Sequence, residues 1–160
     1  MAIDTPPGDS RPAEPAAGPG APLEIELQLR WGDMDLNAHV NNVQVSRLFE
    51  EGRVRAFSQW FAGGIDRLPV VVVRQDVEFR APLYYSLEPV VVRQAITRVG
   101  TSSYTIGATI TAADGTLCAL ARTTLVAVDP TTNRPTAIPQ SARDILETNR
   151  ADIPELRPQN

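Results

Sequence analysis

One segment constrains the fold more than any other. The run from Asn42 to Phe61 contains no proline, has Gly52 as its only glycine, and carries helical periodicity. At about 100° per residue, Val45, Leu48, Phe49, Ala56 and Trp60 share one arc. Gln44, Arg47, Glu51, Arg55 and Ser58 form the opposite polar stripe, and Val43, Val54, Phe57 and Phe61 a second apolar flank. A helix apolar around more than half its girth must be covered on more than one side, by a curved sheet or by a partner subunit. Gly52 lies inside the main arc, where it costs about 1 kcal/mol against alanine unless a close backbone approach offsets it. A sheet wrapped around the helix supplies that approach. Gly63-Gly64 reads as the end of the helix.

The remaining elements read as strands. Leu23, Ile25, Leu27 and Leu29 alternate with Glu24, Glu26, Gln28 and Arg30, the pattern of a half-buried strand. Val70 to Val73 reads as a buried apolar run that continues through Val77 and Phe79 to Pro82. Val90 to Val99 makes another strand, and Tyr104 to Ala112 alternates up to Asp114-Gly115, a strong hairpin signal. Leu117 to Val128 is the return strand, closed by Asp129-Pro130. A short helix is expected from Ser141, with the serine as its cap and Arg143 and Glu147 spaced for an i,i+4 pair. Strand, long helix, then four antiparallel strands predict an α+β domain in which about five strands curl around the helix. The second apolar flank and the sheet's edge are then left for another copy of the chain, so at least a homodimer is expected.

Length and composition bound the rest. The 160 residues suit one domain, taken as 23–150, between a Pro/Ala/Gly-rich tail over 1–22 read as disordered and a C-terminal tail over 151–160. The first residues lack the basic start and apolar core of a signal peptide. Fifteen basic residues, all arginine, stand against 19 acidic ones, so no nucleic-acid footprint is present. The single cysteine, Cys118, excludes an internal disulfide and lies in an apolar run, as a small buried hydrophobe would. A reducing, cytoplasmic setting fits. No apolar run approaches the roughly 20 residues of a membrane span.

Chemistry concentrates just before the helix, where Asp33, Asp35, Asn37 and His39 fall at every second position. His39 is the only histidine. Asp33-x-Asp35-x-Asn37 imitates the start of a calcium loop, but the sixth position is Ala38 and the twelfth Gln44, where glycine and a bidentate glutamate are needed. One histidine without clustered cysteines is also a poor zinc site, so no metal and no cofactor is expected. A hydrolytic reading fits better. A carboxylate at the mouth of a helix can activate water or attack an acyl carbon, with amide and imidazole holding water and carbonyl. The N–H groups of the first turn, Val40 to Val43, are candidates for stabilising an oxyanion.

Trp31-Gly-Asp-Met-Asp-Leu-Asn-Ala-His-Val-Asn-Asn-Val, followed by Phe49-Glu-Glu-Gly-Arg53, resembles the signature of hot-dog-fold acyl thioesterases. Both the 4-hydroxybenzoyl-CoA thioesterase-like group and the acyl-ACP thioesterases carry it. The resemblance implies the hot-dog fold, hydrolysis of an acyl-CoA or acyl-ACP thioester to a free acid and a thiol, and a dimer or tetramer. It makes Asp35 the catalytic carboxylate, with Asn37 and His39 orienting water, carboxylate and carbonyl; Asp33 is expected to be structural. Glu50 matches an acid on the family's central helix. It falls on the semi-apolar flank beside Val43 and Phe57, where a raised pKa would be unsurprising. Val45 replaces an aromatic residue usual in relatives, leaving room beside the loop.

Taken singly, these residues have plainer readings. Asp35 alone suits a loop-stabilising carboxylate, Asn41 and Asn42 suit helix caps, and Glu50 suits a pair with Arg53 or Arg47. The combination at this spacing is what favours chemistry. For substrate, Val40 and Val45 are candidate acyl contacts, Ser102 and Ser103 candidate donors in a turn, and Arg80, Arg93, Arg98 and Arg122 candidate phosphate ligands. Two rival functions remain at this level: an acyl-thioester hydratase or dehydratase on the same fold, and a non-catalytic acyl-CoA-binding module.

Overall fold

The structure is a computed structural model that describes residues 20–62 and 68–158. Most of the expected N-terminal tail and the Gly63-Gly64 helix end lie outside the described residues. The elements run β1 (Leu23–Leu27), a 3-10 turn (Trp31–Asp33), α1 (Asn42–Trp60), β2 (Val70–Phe79), β3 (Val90–Val99), β4 (Ser103–Thr111), β5 (Leu117–Ala127) and α2 (Gln140–Thr148). The five strands form one sheet in the order β1-β3-β4-β5-β2, antiparallel throughout. This is the hot-dog fold, a curled sheet holding one long helix.

Packing follows the helical arcs. Val45, Leu48, Phe49 and Ala56 are buried and join Ile25, Leu27, Val92 and Ile110 in the main core. A second core gathers Ile96, Tyr104, Ile106 and Leu125 with Ala142 and Leu146 of α2. Gly52 is where α1 touches the sheet most closely. A Cβ there would stand 2.8 Å from both Val92 Cγ1 and Gln94 Nε2. The same Gln94 Nε2 donates to the Phe49 carbonyl at 3.0 Å, tying helix to sheet through a buried amide.

Two local expectations fail. Val70–Val73 is not a buried run: Val71, Val72 and Val73 are 45%, 45% and 57% exposed. They lie on β2, one of the sheet's two edge strands, so apolar content there reports a surface uncovered in the single chain. α2 starts at Gln140 with Pro139 as its cap, and Ser141 makes no cap bond. Arg143 turns instead to the Gly100 carbonyl at 2.7 Å, and Glu147 pairs with Arg150. Residues beyond α2 cross the sheet's outer face. Ala151 N donates to the Ile96 carbonyl, and Arg157 N to Glu78 Oε2 at 2.7 Å.

No helix among the described residues is long and apolar enough to cross a membrane.

Candidate active site

The polar stretch folds as a tight loop between an isolated pairing of Met34 with Val40. Asp35 N donates to the His39 carbonyl at 2.8 Å, and Ala38 N to the Asp35 carbonyl at 3.1 Å. Ala38 takes a left-handed backbone, φ 60°. Alternating polar residues thus do not extend as a strand. They wrap around Asp35, whose Oδ1 accepts from Asn37 N at 2.8 Å and His39 N at 3.3 Å. Oδ2 of Asp35 has no hydrogen-bond partner among the described residues. The carboxylate therefore does two things at once: one oxygen pins the loop and the other is left for a ligand.

Asp33 has the opposite character. It is buried, and its Oδ2 accepts from Arg30 N at 2.8 Å and from Arg47 at 3.1 Å. Its carbonyl takes Asn41 N, and Arg47 continues to Glu51 at 3.0 Å, so Asp33 anchors the loop to α1. Asn41 is the cap of α1, its Oδ1 accepting from Val43 N at 2.9 Å. Asn42 is the first helical residue and not a second cap.

A cavity of about 410 Å³ opens beside this loop. Asp35, Asn37, His39, Val40, Asn42 and Val45 line one side. The other side comes from distant parts of the chain, the segment Phe79–Leu83 and Cys118–Ala119. Val40 N donates to the Leu83 carbonyl at 2.7 Å, which closes the two sides together. The expected oxyanion donors are correspondingly reduced. Val40, Asn41 and Val43 all spend their N–H groups within the protein, and of the run 40–43 only Asn42 N has no acceptor among the described residues.

The His39 imidazole makes no hydrogen bond to a described residue. Its ring meets the edge of Tyr84, with centroids 5.0 Å apart and planes at 71°. Tyr84 beside the loop, and Phe79, Ala81–Leu83 and Cys118–Ala119 in the cavity lining, are the site residues that sequence reasoning missed; Arg80 in that segment was a candidate. They are remote in the chain and carry no motif. Their one signal is Pro82, which ends β2 beside the loop.

Other candidates lie elsewhere. Glu50 is exposed and does not line the cavity; it stands 3.8 Å from Arg53, the pairing of its plainer reading. Arg53 itself is buried, and desolvation lowers its pKa against the opposing pull of Glu50. Ser103 pairs with Val126, seven positions along β5 from Ala119, so Ser102 and Ser103 are about 24 Å from the cavity along the strand. Of the four arginines only Arg80 reaches the cavity, and Glu78 holds its side chain. Arg93 pairs with Glu24 at 2.7 Å.

Arg98 and Arg122 line a larger groove, about 680 Å³, on the sheet's outer face beneath residues 150–156. There Arg98, Thr105, Thr124 and Arg74 form one cross-strand row. That groove is the bigger space, but Asp76 bridges Arg74 and Arg122 there, and it holds no counterpart of the Asp35–His39 loop. The smaller cavity is the candidate active site because a partly unpaired carboxylate, an amide and an imidazole converge on an apolar wall. Among the described residues no group of three or more His, Cys, Asp or Glu is placed to hold a metal ion.

Comparison with known proteins agrees with this geometry. The thioesterase-like superfamily matches residues 29–146. No curated protein sequence matches the chain significantly. Among solved structures, one described as a predicted thioesterase from Bacillus stearothermophilus is 30% identical with a TM-score of 0.73, covering 81% of this chain and 97% of its own. A thioesterase from Thermus thermophilus, in complex with coenzyme A and zinc, is 27% identical with a TM-score of 0.67, covering 79% and 93%. A 1,4-dihydroxy-2-naphthoyl-CoA thioesterase from Synechocystis shares the fold at 20% identity, with a TM-score of 0.64 over 77% and 93%. The chain is a thioester hydrolase of the hot-dog fold and belongs to the thioesterase-like superfamily.

Proposed function

We propose that the protein hydrolyses an acyl-CoA thioester to a free carboxylic acid and CoA, with Asp35 as the catalytic carboxylate. One observation carries this reading: Asp35 lines the cavity, its Oδ1 is committed to two backbone N–H groups, and its Oδ2 has no partner among the described residues. Oδ2 serves either as general base toward water or as nucleophile toward the acyl carbon. His39 and Asn37, on the same wall, orient the water and the thioester carbonyl, and Asn42 N–H is the remaining backbone donor for a developing oxyanion. The coenzyme A bound to the Thermus thermophilus thioesterase supports CoA as the carrier. An acyl-ACP carrier has no corresponding observation.

We also propose a homodimer or a higher homo-oligomer. The edge strand β2 exposes Val71–Val73, and α1 exposes Val43 and Val54 on its second flank. A second copy that pairs its own edge with β2 covers Val71–Val73, and the α1 flank is left for a further contact between copies.

The test of function is a panel of saturated acyl-CoA esters and matched enoyl-CoA esters, followed by release of free thiol. Hydrolysis liberates thiol from the saturated esters with a turnover that scales with enzyme. Hydration of enoyl-CoA without thiol release assigns the hydratase reading instead, and binding without any turnover assigns a carrier module.

A further inference from the structure

The cavity beside Asp35 has a wall that the chemistry above does not use. Beside Phe79, Pro82 and Leu83 it contains three small residues. Val45 from α1 and Cys118 and Ala119 from β5 are each at most 3% exposed, and each lines the cavity. On β5, Ala119 pairs with Ile110 and Leu117 pairs with Thr111, so Cys118 is the extra residue of a β-bulge. A bulge breaks the alternation of a strand and re-aims a side chain. Here consecutive residues Cys118 and Ala119 both face the cavity and join the main core.

The wall is also held firmly. The Cys118 carbonyl accepts from Arg80 N at 2.8 Å and Ala81 N at 3.2 Å, and Leu83 in turn receives Val40 N. Cys118 Sγ lies 3.4 Å from the Thr116 carbonyl and 3.7 Å from that of Pro82. Backbone hydrogen bonds thus run from β5 through residues 80–83 to the catalytic loop. Side-chain volume added to this wall subtracts from the cavity, because the backbone behind it cannot retreat.

We propose that Cys118 and Ala119, which line the cavity together with Val45, are the specificity-determining wall for the acyl group, their small side chains setting how long or bulky an acyl group the site accepts. The proposal rests on the assignment of this cavity as the thioester site. The cavity, about 410 Å³ in the single chain, is large enough for an acyl group and is bounded on one part by this wall. Cys118 acts through its volume. Burial raises its thiol pKa, so it is a poor nucleophile at neutral pH.

The experiment compares kcat/KM across acyl-CoA esters from acetyl to dodecanoyl, with benzoyl-CoA, for the wild type, Cys118→Ala and Cys118→Leu. The wild type gives the reference profile and its best ester. Cys118→Leu lowers kcat/KM for that best ester at least tenfold and moves the optimum to shorter groups; Cys118→Ala moves it to longer ones. Val45→Phe, in the same cavity lining, repeats the loss if Cys118→Leu folds poorly. Identical chain-length profiles in all folded variants overturn the proposal.

A binding readout keeps this separate from the role of Asp35. A thioether analogue of hexanoyl-CoA, which cannot be hydrolysed, is titrated by calorimetry into Asp35→Asn with and without Cys118→Leu. Cys118→Leu is expected to change its Kd at least fivefold. That change together with full turnover by Asp35→Asn removes Asp35 from the mechanism and leaves the wall in place. An unchanged Kd in folded protein removes the wall.

Discussion

At the scale of single residues, the site depends on groups that hold other groups still. His39 has no hydrogen bond to orient its ring, so the edge contact with Tyr84 does that work. An aromatic pair of this kind contributes about 0.5–1.5 kcal/mol. Tyr84→Phe keeps the contact and is expected to leave kcat within twofold of wild type. Tyr84→Ala frees the imidazole and lowers kcat up to about tenfold, with KM for acyl-CoA changed far less; steady-state kinetics on one good ester measures both. A second prediction concerns Cys118. Only the thiolate alkylates, and desolvation disfavours the charged form, so the midpoint of its rate–pH profile with iodoacetamide lies above about 8.5, the value for a free thiol. A midpoint below that value shows a thiol less buried than the structure has it.

Single residues were also where the sequence was most informative about the loop and least about its surroundings. Asp33 and Asp35 belong to one short motif, yet the motif does not say that one is sealed under Arg47 and the other half open. Asn41 as a cap was legible because side-chain capping is a local interaction. The neighbours of the loop from elsewhere in the chain were not, because Tyr84 reaches His39, and Cys118 the shared cavity, only through tertiary packing.

At the scale of elements, α1 was legible in nearly full detail because its pattern is strong and unbroken. Gly52 was read as a point of close approach, and it is one. Gly52→Ala would push a methyl group to within 2.8 Å of Val92 and Gln94, whose amide already serves the Phe49 carbonyl. Overpacking of this kind costs about 1–3 kcal/mol, so the urea midpoint of Gly52→Ala is expected to fall clearly below wild type. An unchanged midpoint shows that α1 rides higher on the sheet. β2 was misread for a physical reason. Val70–Val73 has the composition of a core strand, and composition alone does not tell a central strand from an edge that meets another molecule. Helix α2 was misplaced at its start because Ser141 is a good cap in isolation, while the backbone bond from Arg143 N to the Pro139 carbonyl sets the boundary.

At the scale of the whole molecule, the fold is one sheet around one helix with an apolar edge left over. That edge predicts association. Light scattering coupled to size exclusion is expected to give at least twice the chain mass for the wild type. Val72→Lys places a charge on the edge and shifts the mass toward the monomer. A wild-type monomer at micromolar concentration contradicts the proposed assembly.

The central claim remains that the carboxylate of Asp35 acts on an activated ester. Asp35→Asn is the most direct test, because asparagine keeps the Oδ1 acceptor for Asn37 N and His39 N and so preserves the loop. It removes only the charge and basicity of the other atom. The account predicts that kcat on the best acyl-CoA ester falls at least about a hundredfold in Asp35→Asn, at unchanged thermal stability. A kcat within a few-fold of wild type, in a protein that melts at the same temperature, contradicts it.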